Sequence, residues 1–136
     1  MTANFKHLAE TRLREARILL ASSEPSGAYY LAGYAAECAL KAVVLKQIRK
    51  YHMPDRKVVD QAHTHDFDVL VGLAGLKANR EAYENQNKIF ARNWALTRIW
   101  SESSRYEVWT TQDATDLITA VGQRRDGVLA WIRRSW

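Results

Sequence analysis

Apolar residues recur with helical period over most of the chain. Phe5, Leu8, Ala9, Leu13, Ala16, Leu19 and Leu20 keep the i, i+3, i+4, i+7 spacing, with Lys6, Arg12, Arg14 and Arg17 mostly on the other side, which predicts an amphipathic first helix. The run Ser22-Ser23-Glu24-Pro25-Ser26-Gly27 ends it, and Pro25, suited to a first turn, opens the next. That second helix is apolar around most of its circumference, from Tyr29 and Tyr30 through Leu40 to Val43, Val44 and Leu45, and is expected to be the central element. A short third helix follows His63-Thr64-His65, capped by Thr64 or Asp66, with Phe67, Leu70, Val71 and Leu73 or Ala74 inward. A fourth begins near Asn79, with Ala82, Tyr83, Ile89, Phe90, Trp94, Leu96, Ile99 and Trp100 as its inward set, and breaks at 101–104. A fifth, capped by Thr110 or Thr111, repeats Ala114, Leu117, Ile118, Val121, Val128, Leu129 and Ile132 at close to heptad spacing. Gly122 and Gly127 weaken it by about 1 kcal/mol each relative to alanine, which points to close helix approach or to surface positions. No strand pattern of comparable length competes. The expected fold is all-α, an antiparallel bundle of about five helices.

The apolar stretch from Ala28 to Leu45 is long enough to raise a transmembrane reading. Glu37 and Lys41 stand at its centre, and each ionised side chain costs about 2.5–3.5 kcal/mol at mid-bilayer. A buried helix of a bundle is the better expectation, with no membrane partner.

Composition narrows the setting. The chain of 136 residues, 47% hydrophobic and with two prolines, has the make-up of one globular domain spanning 1–136. A single cysteine, Cys38, excludes an intramolecular disulfide and a cysteine-rich metal site. The N-terminal segment interrupts its apolar positions with charge, unlike a signal peptide, so the cytoplasm is the expected compartment. Twenty lysines and arginines against fifteen acids give a net charge of +5, which favours polyanions as partners without proving them. The charge is uneven: between Lys41 and Lys57 six cations face only Asp55.

The block Gly27-Ala28-Tyr29-Tyr30-Leu31-Ala32-Gly33-Tyr34-Ala35-Ala36-Glu37-Cys38-Ala39-Leu40-Lys41-Ala42 resembles the second helix of HEPN-domain proteins: a tyrosine- and alanine-rich turn, a glutamate, then leucine-lysine-alanine. His65-Asp66-Phe67-Asp68-Val69-Leu70 looks like that family's histidine-led short helix, and Ser104-Arg105-Tyr106 like its arginine-tyrosine element before the last helix. The resemblance covers most of the chain in order. It implies an all-α bundle that usually forms a homodimer, often beside a minimal nucleotidyltransferase in prokaryotic toxin and antitoxin, defence or stress systems. Some HEPN families are metal-independent ribonucleases with an Arg-x(4–6)-His motif in the second half of the domain. Here the last histidine is His65, so Arg80, Arg92, Arg98 and Arg105 have no histidine at that distance. Arg56 with His63 is the one formal match, and thirteen arginines with four histidines yield about one by chance. In the ribonuclease alternative, Arg56 and His63, or Arg105 with Tyr106, handle the 2′-hydroxyl and phosphate, histidine as acid or base and arginine on the charged phosphorane. A nucleotide-binding module is the further alternative, although no glycine-rich phosphate loop supports it.

Among candidate binding residues, Glu37 and Lys41 stand in the glutamate-first i,i+4 order of a helical ion pair. They serve either to fix helix packing or, with Arg105 and Tyr106, to form a polar pocket or dimer contact. His63 and His65 with Asp66 and Asp68 are competent metal ligands but lack a zinc spacing, so hydrogen bonding at the start of the third helix is preferred and no metal or cofactor is implied. Lys46, Arg49, Lys50, Arg56 and Lys57, with the rings of Tyr51 and His52, form the best candidate contact for RNA or a nucleotide; a solvated helix end explains the same cations through the helix dipole. Cys38 reads as inert packing.

Overall fold

A computed structural model describes residues 4–50 and 60–136. Among these residues the chain is all-α: α1 Phe5–Ala21, α2 Pro25–Lys50, α3 Phe67–Leu73, α4 Lys77–Gln86, α5 Lys88–Arg98, a 3-10 turn Glu102–Tyr106, α6 Thr111–Gly122 and α7 Val128–Arg133. No described helix is long and apolar enough to cross a membrane.

Local chemistry sets the boundaries. Ser23 takes a left-handed φ of 63°. It lets the Glu24 N–H reach Leu19 O (2.9 Å) and the Ser23 N–H reach Leu20 O (3.1 Å), the paired bonds that close a helix C-terminus. Glu24 O then accepts from the Ala28 N–H, so three residues separate α1 from α2. Asp66, the expected cap, accepts from the Val69 N–H at the start of α3. Thr110 and Asp113 form a reciprocal capping box on α6.

The α2 face formed by Ala28, Ala32, Ala35, Ala36 and Ala39 is fully buried, and small side chains there let α1 and α6 lie close against it. Gly122 marks how near α6 comes to α1, since an added Cβ would stand 2.5 Å from Arg17 Nη2 and 3.2 Å from Leu13 Cδ2. The remainder of the core mixes leucines, valines and isoleucines with an aromatic cluster. Phe67, Trp94 and Trp131 meet edge to face, with ring centroids 6.2 Å and 5.8 Å apart.

Two expected helices are each broken in two, so the count rises to seven among the described residues. The expected fourth ends and restarts at Asn87, whose Oδ1 accepts from the Phe90 N–H (3.0 Å) while its Nδ2 donates to the buried carboxylate of Asp126 (2.8 Å). The expected fifth stops at Gly122, and 123–127 turn inward to bury Asp126, which also accepts from Tyr83 Oη (3.1 Å). Gly127 therefore marks a tight turn, where a Cβ would stand 2.3 Å from Gln123 O. The expected inward set is buried only in part. Phe90, Trp94 and Trp100 are buried, but Ala82, Ile89 and Ile99 are exposed. Helical period alone could not separate these sets, because Ile89 and Ile99 adjoin Phe90 and Trp100 on one broad apolar arc of which the packing buries only part.

Candidate functional site

Glu37 sits in the middle of α2 on its buried face, 1% exposed. An ionised carboxylate there requires partners, and the fold supplies two. Lys41, one turn later, places Nζ 3.5 Å from Oε2. His65, held just before α3 by the Asp66 cap and by an Asp66 N–H bond to Thr64 Oγ1, donates from Nδ1 to Oε1 at 2.7 Å. The opposite ring nitrogen, Nε2, stands 2.8 Å from Oε2 of Glu102 on the 3-10 turn. One imidazole thus ties α2, α3 and the 3-10 turn together.

Glu102 forms the edge of an open cleft of about 930 Å³ between the start of α3 and the end of α5. Phe67 and Trp100 contribute its apolar lining, Ser101 and Ser103 share a 2.7 Å hydroxyl contact beside it, and Arg98 pairs with Asp68 at 2.6 Å. Trp100 lies flat on Gly33 of α2, where a Cβ would meet ring atoms at 2.3 Å. The 3-10 turn that carries Glu102 is therefore held at a fixed height over the buried carboxylate.

Burial keeps the neighbouring thiol protonated. Burial, then the Glu37 charge, pushes Cys38 up to about 11. Burial, and next the adjacent Cys38, also raises the Tyr34 hydroxyl.

Of the residues singled out from sequence, Glu37, Lys41 and His65 converge. Arg105 and Tyr106 are three and four positions beyond Glu102, but both are exposed and pair with each other, guanidinium carbon 4.8 Å from the ring centroid, with Tyr30 alongside. Glu37 and Lys41 thus form the helical ion pair that their spacing indicates, joined by His65, and Arg105 and Tyr106 stand apart from them. His65 hydrogen-bonds at the start of α3, as expected, with Glu37 as its partner, while Asp66 caps the helix and Asp68 turns to Arg98. His63 is exposed on the preceding turn, while Arg56, with Tyr51, His52 and Lys57, lies outside the described residues. Arg49 belongs to a different surface, a groove it lines with Lys46, Phe5, Lys6 and Trp136, and Lys50 is exposed at the end of α2. Glu102 was missed. It stands in a serine-rich break with no periodic partner, and only folding carries it to His65.

With Nδ1 of His65 on the buried Glu37 and Nε2 beside the carboxylate of Glu102, the arrangement holds three segments together. Comparison of the chain with protein-family models, curated proteins and solved structures finds no match.

Proposed function

We propose that the chain is a HEPN-type helical module that binds and regulates, acting as a homodimer with a minimal nucleotidyltransferase partner in a cytoplasmic prokaryotic toxin-antitoxin or defence system. The observation that carries this reading is the 2.7 Å contact between Glu37 and His65. These residues come from the two separate stretches on which the resemblance rests, the glutamate of the second helix and the histidine that leads the short helix, and their meeting gives both motifs one physical purpose. Binding is preferred over RNA cleavage because Arg80, Arg92, Arg98 and Arg105 lack a histidine at ribonuclease spacing, and the one formal match, Arg56 with His63, is the number expected by chance.

Co-expression of the tagged chain with the product of the adjacent gene tests the reading. A stoichiometric complex with a nucleotidyltransferase-type protein is expected, and a monomer that captures nothing overturns it. Incubation of the purified protein with total RNA in a chelator should leave the RNA intact. Cleavage abolished by His63→Ala would instead establish the ribonuclease alternative with Arg56 and His63.

A further inference from the structure

The turn from Gln123 to Gly127 is held at both ends. Asn93, buried in α5, donates from Nδ2 to Gln123 Oε1 (2.8 Å) and to Asp126 O (3.0 Å), and the Asp126 carboxylate is bonded to Asn87 and Tyr83. Between these anchors stand Arg124 and Arg125, both exposed and neither side chain in an ion pair or hydrogen bond among the described residues. Two more exposed and unpaired cations, Lys88 and Arg92, lie on α5. Both line a groove of about 400 Å³ together with α6 and Gln123, the residue that leads into Arg124. Lys88 follows Asn87 in sequence and Arg125 precedes Asp126, and those two neighbours are hydrogen-bonded at 2.8 Å. Four cations thus gather where the start of α5 meets the turn. Asp116, which accepts from Gln112 Nε2 (2.7 Å), is the one acid on the groove.

Fold stability does not account for these cations. Lys88 is the first residue of α5, at the positive end of the helix dipole, where a cation is unfavourable, and Arg92 stands at i+4 from it, where like charges repel. The negative end of α6 is served by Arg17, whose Nη2 lies 3.4 Å from Gly122 O. Cations kept free at a cost point to a ligand that supplies the negative charge. The lining narrows its class. No aromatic ring lines the groove, Ile89 is its one exposed large apolar side chain, and Thr119 and Gln123 add polar groups. Protein partners are anchored by aromatic and apolar side chains, and single-stranded nucleic acid by rings that stack on its bases. Phosphate contacts along a duplex need only cations and hydrogen-bond donors. A duplex also carries one negative charge per roughly 1.7 Å of its axis, which suits free cations set on two adjoining elements.

We infer that Lys88, Arg92, Arg124 and Arg125 form a contact surface for the phosphate backbone of a nucleic-acid duplex, held without regard to sequence. This surface shares no lining residue with the groove of Lys46 and Arg49 or with the cleft beside His65, and it requires neither a second copy nor a nucleotidyltransferase. The anchored turn fixes the backbone of both arginines, so contact orders side chains alone.

Fluorescence anisotropy of the full chain with short labelled RNA and DNA duplexes, from about 50 to about 200 mM salt, tests it. Binding of either duplex is expected, the tighter one naming the source, with log K falling against log salt at a slope of about −3 to −4, the value for roughly four phosphates. Arg124→Ala and Arg125→Ala should each weaken binding equally for every sequence and reduce the slope by about 1, and the two together should cost about ten-fold in affinity. Lys46→Ala with Arg49→Ala should leave affinity within about two-fold. Lys88→Glu separates binding from folding: an acid at the start of α5 should raise the thermal midpoint while duplex affinity falls. No binding at about 50 mM salt, or a loss in the Lys46 and Arg49 variant in place of the Arg124 and Arg125 variant, would overturn the surface. A single strand held more tightly than the duplex, or polyglutamate captured in place of either duplex, would overturn the ligand class.

Discussion

Glu37 and His65, twenty-eight positions apart, are joined by a 2.7 Å hydrogen bond that fastens the most buried charge of α2 to the turn preceding α3. Glu37 cannot recover water if that bond is lost, whereas Glu102, at 45% side-chain exposure, can. His65→Ala should therefore destabilise the protein by about 1–3 kcal/mol, below the full cost of breaking a buried pair because His65 is 39% exposed and Lys41 remains. Glu102→Gln should cost less than about 1 kcal/mol. Urea midpoints at unchanged slope measure both. Equal losses would show that the outer contact matters as much as the buried one.

Gly33 and Gly72 give opposite expectations for the same substitution. Gly33→Ala drives a methyl into the Trp100 ring and should cost about 1–3 kcal/mol, with Trp100 displaced. Gly72, in α3 with nothing within 4 Å of a Cβ, should gain about 0.5–1 kcal/mol from helix propensity. Thermal midpoints of the two variants should move in opposite directions, and a neutral Gly33→Ala would refute the close ring contact.

Cys38 should be slow toward alkylating reagents in the native protein at pH 8 and fast once unfolded. Its pKa is raised from 9.0 to about 11, first by burial and then by Glu37, so the native state holds its proton longer than the unfolded chain. The sign follows: this contribution to stability is intact below pH 9 and is lost as pH rises toward 11. Thiol labelling with and without denaturant, and urea midpoints from pH 8 to 11, check both halves. Labelling equally fast in both states would contradict the burial.

Asn87 serves two contacts, the α5 cap and the Asp126 carboxylate, where Thr110 serves mainly the α6 cap box. Asn87→Ala should cost about 2–3 kcal/mol, the loss of a cap plus that of a bond to a buried charge, against about 1 kcal/mol for Thr110→Ala. Equal unfolding free energies would mean that Asp126 is satisfied without Asn87.

Much of this architecture is legible along the chain because it depends on near neighbours. Period, caps and turn residues placed α1, the start of α2 at Pro25, the Asp66 cap and the Thr110 cap. The i,i+4 order of Glu37 and Lys41 also marks their pair. The splits at Asn87 and at 123–127 were hidden, since each is stabilised by Asp126 meeting residues about forty positions away. His65 was recognisable as a site residue through a resemblance, but its partners were not.

The sequence by itself therefore determined an all-α chain, the central apolar helix and the fact that a charged pair would be carried into it. Only the tertiary structure decided that His65 and Glu102 complete the site, that Arg105 and Tyr106 stay outside it, and that Ile99 faces solvent. The reason is physical. Helical period and capping act over four residues and survive in any fold. The desolvated Glu37 takes whichever donors the packed helices bring within 3 Å, and that choice belongs to the packing of α2 against α3 and the 3-10 turn.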